Sequence, residues 1–102
     1  MDKVEALNKV KQFKIILKQH FDINAIYLFG SHAKGTQKPN SKIDVAIVVN
    51  GLEGDVDSTV ALLWKLRRLI DDSIEPVLIE KNNNKSGFLD EIKKHGIEIP
   101  VN

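Results

Sequence analysis

The sequence predicts one α/β domain, and three observations carry that prediction. Short apolar runs rich in strand formers, NAIYLFG, KIDVAIVVN and IEPVLIE, punctuate the chain. Stretches of helical periodicity come before, between and after them. The 102 residues are enough for one buried core and too few for two, so residues 1–102 are read as a single domain.

The first helix is expected from Asp2 to Phe21, where Ala6, Val10, Phe13, Leu17 and Phe21 recur at helical spacing. Lys11, Lys14 and Lys18 gather on another face, which reads as a solvated charge row. NAIYLFG follows as a strand, and KIDVAIVVN as a second, apolar enough for burial on both faces. Between them Gly30 to Ser41 is polar, broken by Gly35 and Pro39, with room for a helical turn beginning at Ser31. GLEGD then precedes a helix from about Asp55 to Asp72, with an acid at its start to cap it. The third strand is IEPVLIE. An Asn-rich turn at Asn82 to Asn84, a helix near Ser86 to His95 and a short tail, GIEIPVN, complete the chain. The strands around Tyr27, Val45 and Val77 are expected to be neighbours, since that arrangement brings Gly30, Asp44 and Glu75 to one edge.

The helix carrying Trp64 holds more apolar residues than one sheet face requires. Val56, Val60, Leu63, Trp64 and Ile70 form one stripe, and Leu62, Leu66 and Leu69 a second. Either both stripes are buried or the second is an oligomer or partner surface.

Fifteen basic against fourteen acidic residues give a net charge of +1, short of the basic excess of a dedicated nucleic-acid binder, and no aromatic-plus-basic cluster suggests one. With no cysteine, disulfides and thiolate metal sites are excluded, which favours a cytoplasmic setting. MDKVEALNKVKQ lacks a signal-peptide core, and no apolar run reaches the ~20 residues that span a bilayer, so no membrane association is expected. His20, His32 and His95 have no metal-ligand spacing, and His32, in the polar loop, is expected to be exposed.

Gly30 and Ser31 stand where a strand ends and a turn begins. Glycine admits close backbone approach, and free N–H groups at a helical start suit a phosphate, although the same pattern also serves a plain tight turn. Asp44 lies within an apolar strand, where a charge requires a partner or a metal. By strand alternation Lys42 and Ala46 share its face. Glu75 opens the third strand and would lie beside Asp44 if the two strands pair; the alternative is an ordinary charge at a strand end.

The stretch FGSHAKGTQKPNSKIDVAIV, followed by the acid of IEPVLI and the ending FLDEIKKHGIEI, resembles the minimal nucleotidyltransferases of the DNA polymerase β-like superfamily. Their signature is Gly-Ser, a loop of about ten residues, D-x-D on the next strand and a third carboxylate on a later one. The resemblance implies a small mixed β-sheet flanked by helices. It implies transfer of a nucleoside monophosphate from a nucleoside triphosphate to an acceptor hydroxyl, with Mg²⁺ as cofactor. Residue by residue, Gly30 and Ser31 match the triphosphate-holding pair, Asp44 the second acid of D-x-D, and Glu75 the third carboxylate, so that Asp44 and Glu75 are the expected catalytic and metal-ligating residues.

Lys42 stands where the first acid belongs. Two metal ions roughly 3.5–4 Å apart need shared carboxylates, and the first acid is such a ligand. Its replacement changes the local formal charge from about −3, for three acids, to about −1, for two acids and an ammonium. Lys42 either donates its ammonium to Asp44 or Glu75, imitating a cation, or contacts the triphosphate while a single metal remains. Two functions follow: a Mg²⁺-dependent nucleotidyltransferase, and a catalytically impaired antitoxin subunit docked on a helical HEPN-type partner, which the resemblance also implies.

Overall fold

A computed structural model of the chain describes residues 1–52, 54–82 and 87–101. Helix α1 (Lys3–Leu17) starts at Asp2, whose side chain accepts a 2.8 Å hydrogen bond from the Glu5 amide. This satisfies one of the donors that a helix start leaves without partners. Its predicted stripe is buried at Ala6, Val10, Phe13 and Leu17, with Phe21 half-buried beyond the helix end. The lysine row is not wholly solvated. The Lys14 ammonium donates to the Pro100 carbonyl at 2.9 Å, and that of Lys18 donates to Val101, tying the last residues of the chain to α1.

Strand β1 (Ile23–Phe29) leads through the one-turn helix α2 (Ser31–Lys34) to β2 (Ile43–Val49). Helix α3 (Val56–Leu66) passes into a 3₁₀ turn at Arg67–Leu69 and then strand β3 (Ile74–Glu80). Helix α4 (Phe88–His95) precedes a last short strand, β4 (Ile97–Ile99). The expected Asn-rich turn and the Ser86 helix start fall largely on residues 83–86, outside the described residues.

The four strands form one mixed sheet in the order β3-β2-β1-β4. β1 runs antiparallel to β2 and β4, and β2 parallel to β3, so the strands around Tyr27, Val45 and Val77 are adjacent as expected. Central β2 is buried on both faces, which its unbroken apolar composition requires. On one face Ile26, Leu28, Ile43, Val45, Ile47 and Ile74 pack with α1 and with Leu63 and Leu66 of α3. On the other, Ala25, Tyr27, Ala46 and Val48 pack with Leu89 and Ile92 of α4. The tail segment IEI alternates, and it pairs with β1 through Ile99, Glu98 and Ile97.

The two stripes expected on the Trp64 helix are redistributed. Leu66, assigned to the second stripe, is core, Leu62 is half-buried, and Leu69 is 69 % exposed. Trp64 and Val56, assigned to the inner stripe, are exposed. The three leucines therefore do not make one free surface. After Leu66 the helix passes into the 3₁₀ turn, and Leu69 at the end of that turn lies off the core.

Candidate active site

Phe29, Asp44 and Glu75 form a row across three strands, since Phe29 is the register partner of Asp44 and Asp44 that of Glu75. Leu28, Ile43, Val45 and Ile74 beside them face α1 and α3, so alternation turns all three to the opposite face. The pairing of β2 with β3 is what brings Glu75 to Asp44.

Above the row, β1 ends at Gly30, with φ +74° and ψ −151°, a backbone state that residues with a Cβ rarely adopt. A Cβ placed there would lie 2.3 Å from Asp44 Oδ2. The turn thus needs glycine twice, for its dihedral angles and for the close seat of the Asp44 carboxylate beneath it. Ser31 opens α2, whose first amides have no acceptor within the helix. The α2 turn closes through Lys34 N–H to Gly30 O at 3.1 Å and ends at Gly35 in the left-handed region.

His32, expected to be exposed, is 1 % exposed. Its Nδ1 lies 3.0 Å from the Lys42 carbonyl, which fixes Nδ1–H as the donor and ties α2 to the start of β2. Its Nε2 is buried with no partner. A polar loop gave no sign of this burial; the only signal is the small Ala33 beside it, which is also buried.

Burial first, then repulsion from Glu75, pushes the Asp44 carboxyl above the ordinary carboxylate range, and His32 pulls it partly back. Lys42 does not relieve this repulsion. Its side chain is exposed, it precedes the first residue of β2, and among the described residues no ion pair joins it to Asp44 or Glu75. The expectation that its ammonium is donated to either acid is corrected: the side chain turns to solvent, where a primary ammonium is best hydrated.

Asp44 and Glu75 are adjacent, half-buried carboxylates that no ion pair among the described residues joins to a cationic side chain, the kind of pair that suits a hard divalent ion. Among the described residues no cluster of three or more His, Asp or Glu is arranged to hold a metal, so the pair lacks the third acid that two ions would share. A larger cleft, about 600 Å³, lies at the other end of the sheet around Asp22, Val49 and Asn50, away from the acids. Size alone does not locate the site.

The polymerase β nucleotidyltransferase family model matches residues 11–101. A Methanocaldococcus jannaschii protein named as a protein adenylyltransferase, MJ0141, is 28 % identical over 102 residues, covering 94 % of this chain and all of its own. The protein adenylyltransferase MntA of Shewanella oneidensis is 34 % identical over 77 residues, 72 % of this chain and 52 % of MntA, so the match spans about half of that relative. Among solved structures, a Sulfolobus solfataricus protein described as a nucleotidyltransferase superposes with a TM-score of 0.70 at 20 % identity, covering 94 % of this chain and 80 % of that one. A toxin-antitoxin structure with AMP-PNP superposes at 0.66 with 25 % identity, covering 90 % and 70 %. The mixed sheet, the glycine turn over a strand acid and the match over nearly the whole sequence agree: the chain belongs to the polymerase β nucleotidyltransferase family.

Proposed function

We propose that the chain transfers an adenylyl group from ATP to a hydroxyl of an acceptor protein, using the Gly30 turn and the Asp44–Glu75 pair. The observation that carries this reading is the register pairing of Asp44 with Glu75 directly under the backbone of Gly30. The names of the two curated relatives support adenylyl transfer to protein. In the reaction the acceptor oxygen bonds to the α-phosphorus, the bond to the bridging oxygen breaks, pyrophosphate leaves and the hydroxyl proton is released. The amides at Gly30 and Ser31 hold the triphosphate, because N–H groups at a helical start are directed outward and need acceptors. Asp44 and Glu75 would hold one Mg²⁺, which when bound offsets the charge of the phosphates and of the pair itself. The Asp44 seat under Gly30 orients its carboxylate before any ligand arrives.

A second reading is favoured by Lys42 and by the toxin-antitoxin neighbour. In it the chain is a catalytically impaired, cytoplasmic antitoxin subunit that retains nucleotide binding and docks on a helical HEPN-type partner. No described helix is long and apolar enough to cross a membrane, which suits either reading. Calorimetry with ATP in Mg²⁺ and in chelator, followed by pyrophosphate release with a co-expressed acceptor, tests both. Mg²⁺-dependent ATP binding lost in Glu75→Gln is expected. Binding without turnover selects the second reading, and ATP binding indifferent to Mg²⁺ and to Glu75 refutes the site.

A further inference from the structure

The row Phe29, Asp44, Glu75 places an aromatic ring one strand away from the acids, and on its far side the sheet is overhung by α4. Between them lies a cavity of about 150 Å³ lined by Phe29, Gly30, Phe88 and Ile92, together with the polar side chains of Lys34, Glu91 and His95. Resting on the adenylyl-transfer reading, we propose that this cavity is the base subsite, taking the nucleobase of the nucleoside triphosphate with Phe88 as its stacking face.

Position argues for it first. Gly30 is shared between the cavity wall and the seat of Asp44, where a Cβ would come within 2.3 Å of the carboxylate. Neighbouring strands lie about 4.8 Å apart, so the cavity begins about one strand spacing from Asp44, a gap that a ribose bridges between a phosphate at the acids and a ring at Phe29.

Size argues next. At about 30 Å³ per water, 150 Å³ holds about five waters, which suits one flat ring system and excludes a whole nucleotide. The remainder of the ligand must lie outside, on the side of the acids.

The lining supplies the third argument. Phe29 and Phe88 meet edge to face, with centroids 5.8 Å apart and planes at 86°. Leu89 and Ile92 already give α4 its core anchors, yet the preceding Phe88 is 42 % exposed at the cavity. A partly exposed ring on the wall of a cavity is a stacking platform that accepts any base face. On the lining, the Glu91 carboxylate, 3.6 Å from His95 Nε2, offers an acceptor to an exocyclic amine, and the Lys34 ammonium offers a donor.

The test titrates the whole chain with ATP and with inorganic tripolyphosphate, both with Mg²⁺, as wild type, Phe88→Ala and Phe88→Trp. Phe88→Leu is a second truncation that keeps apolar volume if the alanine variant melts early. Loss of the ring is expected to weaken ATP roughly tenfold, and Trp to retain ATP binding, while tripolyphosphate affinity stays constant. Unchanged ATP affinity in both truncations overturns the proposal and is the result expected if the cavity receives an acceptor side chain instead. Equal weakening of both ligands overturns it too. Failure of tripolyphosphate to bind the wild type, with ATP still bound and sensitive to Phe88, removes the phosphate seat but keeps the ring pocket. Failure of both ligands removes both.

Discussion

Gly30→Ala isolates the feature on which the site depends. The φ of +74° with ψ of −151° falls in a region occupied essentially by glycine, and holding alanine there costs about 1–3 kcal/mol. The new Cβ would lie 2.3 Å from Asp44 Oδ2 and 3.2 Å from its Cγ, while Asp44 Cβ, at 3.4 Å, is in ordinary contact. The carboxylate must therefore swing off its rotamer, at about 0.5–1.5 kcal/mol. The two contributions sum to about 1.5–4.5 kcal/mol. For a domain of this size that lowers Tm by about 7–21 °C, measured by thermal unfolding followed by circular dichroism. The two contributions separate in a double-mutant cycle. In an Asp44→Ala background the carboxylate is gone, so Gly30→Ala should cost only its backbone part, leaving a coupling of about 1 kcal/mol. A Gly30→Ala protein as stable as wild type refutes the backbone argument. A cycle with no coupling refutes the seating of Asp44 under the turn.

Asp44→Asn should raise stability at neutral pH in chelator. The folded state raises the Asp44 pKa above its ordinary value, so the group favours the folded state fully below that ordinary value, and the contribution is lost as pH rises through the folded pKa. The gain from Asn should accordingly vanish on acidification towards pH 3.8, and a gain that grows on acidification would contradict the assigned direction. Lys42→Asp should tighten Mg²⁺ and increase pyrophosphate release, because it restores the third carboxylate; in chelator the same protein should melt lower and recover on adding Mg²⁺. If the variant neither tightens Mg²⁺ nor improves turnover, Lys42 belongs to a working site.

Where burial follows local periodicity, the sequence was a sufficient guide. The Ala6, Val10, Phe13, Leu17 stripe is one face of a straight helix, and the unbroken apolar run of β2 announces a strand covered on both sides. Gly30, Asp44 and Glu75 were legible for a related reason: a glycine after a strand and acids inside apolar strands are locally costly choices, and such choices need an explanation in the fold. Other features have no local signature. His32 sits among polar residues and becomes buried only because the loop folds back until its ring reaches the Lys42 carbonyl, a contact across ten positions. Leu66 and Leu69 read alike in the sequence, and only the packing of the helix end decides that one is core and the other is exposed. The three residues of β4 are too few to declare a strand, and they gain that state from pairing with β1. Composition and periodicity thus determined which residues must avoid water and which acids needed company. Strand register and loop closure, set by contacts between distant segments, decided that Asp44 faces Glu75, that Phe29 flanks them, and that Lys42 stays apart in solvent.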